Sequence, residues 1–241
     1  MNGRNIIIAL AMEFKGDWNS IYNAISSRNY EDILQKYGDI DLGNNIITML
    51  DEDYPECLKK TYQPPFALFC EGNKDLLKSK DIVAILGTKS PSKEYIFFTN
   101  DFVNNLSKDK VIITTNTKGI ADIAMTTAIS SGKKVIVVMN SGITNDYNDV
   151  INNGGLIISE YPFDVKPDSN TSLKRNSIIA GLANKICSIE IHEHSGTLLA
   201  INQALAIGKE VYCVPNINDI SAVNNRLIDE GANALTLGTT L

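Results

Sequence analysis

The run Ser172-Leu173-Lys174-Arg175-Asn176-Ser177-Ile178-Ile179-Ala180-Gly181-Leu182-Ala183 sets two cations and an amide against a small, apolar, helix-like segment. At a helix start such a cluster binds anions. The first backbone N–H groups lack a partner within the helix, the dipole favours negative charge, and arginine adds a planar fork of donors. Phosphate suits this chemistry best. Four other segments have the composition of a phosphate cradle: Gly87-Thr88-Lys89-Ser90, Thr115-Asn116-Thr117-Lys118-Gly119, Asn140-Ser141-Gly142 and Glu193-His194-Ser195-Gly196-Thr197. Small residues let backbone donors approach a ligand, and hydroxyls and lysines add further donors.

Each segment also has a purely structural reading. Gly87–Ser90 reads as a turn ahead of a helix capped by Ser90 or Ser92, and Ser195-Gly196 as a capped helix start. The chain contains neither GxxxxGK[ST] nor GxGxxG, which removes support for ATP hydrolysis and dinucleotide binding. GxSxG is absent too, and no paired-carboxylate signature offers hydrolytic chemistry. His192 and His194, with Glu190 and Glu193 nearby, supply too few ligands for a metal site; as i and i+2 residues of a strand they read as structural or exposed. No catalytic residue, metal or cofactor is assigned.

The elements that must position these segments are legible in the hydrophobic pattern. Ile82–Leu86, Val111–Thr114, Val135–Met139, Leu156–Ile158, Ile186–Ile191 and Val211–Val214 are short, β-branched and nearly continuously apolar, with helix-like stretches between them. Such runs predict a doubly wound α/β fold whose mostly parallel sheet is buried on both faces. Sheets of this kind bind ligands beyond the carboxyl ends of their strands, where the glycine- and hydroxyl-rich segments lie.

Residues 1–50 read as a small helical module, from the spacing of Trp18, Ile21, Tyr22, Ile25, Tyr30, Ile33, Leu34 and Tyr37, with a turn at Gly38. Residues 51–81, punctuated by Tyr54-Pro55 and Gln63-Pro64-Pro65, read as a linker in which Phe66–Cys70 forms an extra strand at the sheet edge. Residues 82–241 carry the sheet.

The chain has 241 residues, 44% of them apolar and 21% charged, a composition that predicts a globular fold with a substantial core. Its net charge of −6 gives no global field for attracting a polyanion, so one must be held at a local basic site. Cys57, Cys70, Cys187 and Cys213 lack metal-ligand spacing and are expected to be reduced. The apolar start ends at Glu13 and Lys15 without a cleavage pattern, and no run is long enough to span a bilayer, so a cytoplasmic, membrane-independent protein is expected.

Together these segments resemble the DNA-processing protein A family (DprA, also called Smf), from about Tyr54 to Gly231. The resemblance rests on ordered pieces: Tyr54-Pro55, Pro64-Pro65, Val83–Gly87, Gly119-Ile120 with Ala124 and Ala128, Ser159-Glu160-Tyr161-Pro162, Arg175–Leu182, Ser195–Leu198, Ala204-Leu205, Gly208–Val211, Val214-Pro215, and Asn225–Ile228 with Gly231-Ala232. It implies an extended Rossmann-like domain and a dimer without enzymatic activity. It further implies binding of single-stranded DNA and loading of a RecA-type recombinase during natural transformation. The DNA- or phosphate-binding positions so implied are Gly87, Thr88, Lys89 and Ser90, Lys118, Lys174, Arg175 and Asn176, and Ser195, Gly196 and Thr197.

The chain departs from the family pattern in several places. Gly87-Thr88-Lys89 stands where the family reads Gly-Ser-Arg, which keeps the charge and loses the fork. Thr114-Thr115, Gly119-Ile120-Ala121 and Ala124-Met125 replace Ser-Gly, Gly-Ile-Asp and Ala-His. Ser172-Leu173 replaces Phe-Pro, and Ser177 replaces an arginine, thinning the positive site and removing an aromatic suited to stacking on a base. The amino-terminal module lacks a Gly-x-Gly helix-hairpin-helix turn.

Two alternatives follow. One is a small-nucleotide enzyme or sensor, since phosphoribohydrolases of the Lonely-guy type share the superfamily; their Pro-Gly-Gly-x-Gly-Thr-x-x-Glu is met here by Gly196-Thr197, with Ala200 in place of the glutamate. The other is a scaffold that has lost DNA binding.

Overall fold

In the computed structural model, which describes residues 2–37, 45–219 and 222–241, every apolar run read as a strand from Ile82 onward joins one sheet. Its strands are β1 (Ile46–Thr48), β2 (Ala67–Gly72), β3 (Ile82–Leu86), β4 (Val111–Thr115), β5 (Lys134–Val138), β6 (Leu156–Ser159), β7 (Lys185–Ser188), β8 (Glu210–Cys213) and β9 (Asn233–Ala234). They lie in the order β1-β2-β6-β5-β4-β3-β7-β8-β9. The pairings from β6 across to β9 are parallel, while β2 runs antiparallel to both β1 and β6.

The near-continuous apolar runs have the expected cause: both faces are covered. Ala84, Leu86, Ile113, Val138, Ile158 and Ile186 enter one core with Ile178, Ile179 and Leu182 of α7 (Ser169–Leu182) and Ala200, Ile201 and Ala204 of α8 (Gly196–Ala206). Their neighbours Val83, Ile85, Ile112, Val137 and Ile157 enter the opposite core with Phe102 and Val103 of α4 (Lys93–Asn105) and Ile120, Ala124 and Ala128 of α5 (Ile120–Ser130). The period-two alternation of a strand thus divides each run between two layers of helix. A smaller helix, α6 (Asn148–Asn152), precedes β6, and α9 (Val223–Asp229) precedes β9.

The amino-terminal helices are α1 (Gly3–Glu13), α2 (Trp18–Ser27) and α3 (Glu31–Tyr37). The turn expected at Gly38 lies outside the described residues. Ile7, Leu10, Ala11, Ile21 and Ala24 pack on Ile46, Phe66 and Ala67, so these helices share a core with β1 and β2. Two expectations are corrected. Ile46–Thr48, inside the stretch read as helical, is a strand, because its β-branched residues pair with β2 while lying fully buried. The run starting at Phe66 supplies β2, which is paired on both sides, leaving β1 at the edge.

The chain passes from β3 to β4, β5 and β6 on one side, then returns across to β7, β8 and β9 on the other. The reversal falls between β3 and β7, whose carboxyl ends therefore open a crevice at the topological switch point. The loops after Leu86 and Ser188 border it.

Candidate functional site

A cleft of about 420 Å³ occupies that crevice. Its walls come from four strand ends and two helices. Gly87, Thr88 and Lys89 follow β3; Thr115 ends β4 and Thr117 follows it; Asn140 follows β5; His192 and Ser195 follow β7; Gly196 and Thr197 open α8; and Ser172, Arg175 and Asn176 come from α7. Among the described residues no carboxylate lines it, although the chain has more acidic than basic residues.

Local sequence explains the tight assembly. An added Cβ at Gly87 would lie 2.6 Å from the Ile120 side chain, so β3 and α5 approach as only glycine allows. Gly119 has φ +82°, and a Cβ there would lie 2.3 Å from the Thr88 carbonyl oxygen, to which Ile120 N–H donates at 3.1 Å. At α8, the Ser195 hydroxyl accepts from Leu198 N–H at 3.2 Å, fixing a first turn whose Gly196 and Thr197 line the cleft.

The basic cluster differs from its sequence reading. Asp168 caps α7: its side chain accepts from Thr171 N–H, and the Thr171 hydroxyl accepts from Asp168 N–H, a reciprocal box that starts the helix at Ser169. Lys174, Arg175 and Asn176 therefore stand in the second turn, where backbone N–H groups are spent inside the helix. What α7 offers the cleft is the Arg175 side chain.

Arg175 as a whole is 6% exposed. Its Nε and one terminal nitrogen donate to Asn176 Oδ1 at 3.2 and 3.0 Å, and the other terminal nitrogen donates to Asn116 Oδ1 at 3.3 Å. Asn176 is held in turn by donating to the Gly196 carbonyl at 2.7 Å. Asn116 donates to Asn140 at 3.0 Å, and Asn140 donates to the Ser172 hydroxyl at 2.8 Å. Every partner in this chain is neutral. Among the described residues no carboxylate pairs with Arg175, and burial pulls its pKa down to about 10, which leaves it charged at neutral pH. A buried cation with uncharged partners and donors to spare has the chemistry to suit an anion.

Of the residues singled out from sequence, Gly87, Thr88, Lys89, Arg175, Asn176, Ser195, Gly196 and Thr197 meet at the cleft. Ser90, Lys118 and Lys174 do not line it. Lys174 turns away to donate to Gln63 Oε1, and burial lowers its pKa. Asn140, Ser172 and His192 also line the cleft; Asn140 lies in a segment with cradle composition, whereas Ser172 and His192 carry no local signal, because their place depends on residues brought in from other elements. His192 and His194 are not strand partners at all: β7 ends at Ser188, and His194 has φ +59° in the loop that follows. Among the described residues no cluster of histidine, cysteine and carboxylate side chains is suited to a metal ion.

This arrangement has counterparts in known proteins. A model of the DNA recombination-mediator protein A family matches residues 45–240. The chain belongs to that family. Its sequence is 32% identical to DNA processing protein DprA of Streptococcus pneumoniae over 200 residues, covering 79% of this chain and 71% of that one. The fold matches the Streptococcus pneumoniae DprA crystal structure with a TM-score of 0.75 at 27% identity, covering 96% of this chain and 90% of the other. It also matches DNA processing protein A from Helicobacter pylori, described for its unique single-stranded DNA binding mode, with a TM-score of 0.70 at 24% identity, covering 80% and 92%. The family match starts at Asn45, so the recombination-mediator region takes in β1 and every strand of the sheet.

Proposed function

We propose that this recombination mediator grips the backbone of single-stranded DNA in the β3–β7 cleft, and that Arg175 provides the buried counter-charge for one phosphate. The observation that carries this reading is Arg175, 6% exposed and without a carboxylate partner, set in a cleft that no carboxylate lines among the described residues. The α8 first turn and the Thr88, Thr115, Thr117 and Thr197 hydroxyls are suited to the same anion, and Lys89 stands at the rim. Such contacts read phosphate rather than bases, which predicts salt-sensitive and sequence-tolerant binding. Family membership and the single-stranded DNA binding of the Helicobacter pylori protein support this ligand.

The rest of the role follows as part of the same proposal. The protein is non-enzymatic, acts in the cytoplasm as a homodimer, and loads a RecA-type recombinase onto the strand it holds. Among the described residues no helix is long and apolar enough to cross a membrane. The decisive measurement is a fluorescence-anisotropy titration with a labelled single-stranded oligonucleotide at several salt concentrations. Salt-dependent binding that Lys89→Ala with Arg175→Ala abolishes is expected; binding indifferent to both substitutions would remove the proposal.

A small nucleotide is the second reading, favoured by a cleft of about 420 Å³, within the range of small-ligand sites. Incubation with nucleoside monophosphates, followed by assay for released base, separates the two. Turnover would make the protein an enzyme.

A further inference from the structure

Beyond the cleft, the side of α7 that carries Lys174 leads to a group of aromatic rings that the phosphate site does not use. Trp18 of α2 is fixed from three directions. Its Nε1 donates to the Pro64 carbonyl at 3.0 Å, Phe66 packs on it with centroids 5.4 Å apart, and Tyr22 stacks on it at 5.0 Å with planes 10° apart. Tyr22 is stacked on Trp18 and is nonetheless 50% exposed. Tyr62, 80% exposed, immediately precedes Gln63 and Pro64, the two residues of this connection that bond to Asn19 and Trp18 of α2. A lone exposed tyrosine is ordinary; one stacked on a packed tryptophan, with a second on the connection bonded to the same helix and a cation on the side toward the cleft, is a different matter.

The link to the cleft is a hydrogen-bonded bridge. Lys174 donates to Gln63 Oε1, and Gln63 Nε2 donates to Asn19 Oδ1 at 3.3 Å, joining α7 to α2. Gln63 holds φ +52°, a conformation that costs a non-glycine residue energy. Lys174 follows Leu173 and precedes Arg175, so one turn of α7 directs a cation toward the aromatic rings and another into the cleft. Between Trp18 and Ser27, α2 carries no carboxylate, and Arg28 follows it. The nearest acids are committed elsewhere: Asp17 accepts from Ser20 N–H at 2.9 Å as the α2 cap, and Glu160 is buried with a pKa raised by that burial.

We propose that Tyr22, supported by Trp18, and Tyr62 form a base-stacking platform for the segment of strand that leaves the cleft past Lys174. The occupant is unpaired nucleic acid, because a cation near exposed aromatic rings matches the alternating phosphates and bases of a single strand. This rests on the cleft reading and extends it: the cleft takes backbone and the platform takes bases.

Trp18 is the only tryptophan in the chain, so its emission reports on this surface alone. Oligothymidines of about four and about twenty nucleotides are titrated while anisotropy and tryptophan emission are followed together. The longer strand is expected to quench Trp18 and the shorter one to bind without quenching. Tyr22→Ala should remove the quench and weaken the longer strand on the order of tenfold while leaving the shorter one unchanged, and Tyr62→Ala should weaken the longer strand similarly. Tyr22→Phe should restore both signals, which separates stacking from loss of fold. Cleft-dependent binding of the longer strand, with Trp18 emission unmoved and affinity untouched in the Tyr22→Ala, Tyr62→Ala double variant, overturns the platform and leaves the cleft reading standing. No binding at either length overturns both.

Discussion

Burying a guanidinium among amide oxygens costs folding energy that no carboxylate here offsets, so Arg175 is the residue where stability and ligand binding should separate. Arg175→Met keeps the length and apolar volume of the side chain. It forfeits hydrogen bonds to Asn116 and Asn176 worth about 1–3 kcal/mol and relieves a desolvation cost of several kcal/mol. Urea unfolding should therefore show no net loss of stability, while anisotropy shows oligonucleotide binding abolished. Lys89 makes the contrasting case. It is exposed and free of ion pairs among the described residues, so Lys89→Ala should leave the unfolding midpoint unchanged. It should also flatten the slope of log K against log salt by about 0.7, the loss of one phosphate contact on a single strand.

Two short elements set the cleft's geometry. The Asp168–Thr171 box decides where α7 begins and hence which side chain reaches the cleft. Asp168→Ala should cost about 1 kcal/mol in denaturant unfolding and weaken oligonucleotide binding through the altered seat of Arg175. The turn into α5 depends on Gly119, where a side chain meets both a positive φ and the Thr88 carbonyl. Gly119→Ala should destabilise the protein by at least about 2 kcal/mol, readable as a lowered urea midpoint, and displace the Thr88-Lys89 loop.

Over the whole molecule, the amino-terminal helices are tied to the far end of the sheet around Glu160. A Cβ on Gly16 would lie 2.7 Å from the Glu160 carbonyl oxygen, and Lys15 pairs with Asp164 at 2.6 Å. Burial pushes the Glu160 carboxyl from 4.5 up to about 7, although a hydrogen bond from Tyr161 and the Lys174 charge pull it down. The folded state thus binds this proton more tightly than the unfolded chain. Its contribution is complete below the unfolded value and is lost as pH rises through about 7, on the order of 3 kcal/mol. Glu13 and Asp164 are shifted down by their lysine partners and act in the opposite sense at lower pH, leaving this window to Glu160. Glu160→Gln should remove the fall in urea midpoint between about pH 5 and pH 8.

Composition and periodicity determined the layered α/β architecture, because a strand buried on both faces must be apolar at consecutive positions, and that pattern is local. The loops were partly legible for a similar reason: the positive φ of Gly119 and the Ser195 cap are set within a few residues, whereas the need for glycine at Gly87 comes from Ile120, far along the chain. Three-residue β1 carried too little pattern to stand out from the helices before it. Only the tertiary structure decided that Arg175 is buried and uncompensated, that Lys174 turns away to Gln63, and that Asn116, Asn140 and Ser172 complete one network. Those facts depend on which strand ends become neighbours when the chain reverses between β3 and β7, and neighbours brought together from 59 residues apart, as Asn116 and Arg175 are, leave no periodic mark in the sequence.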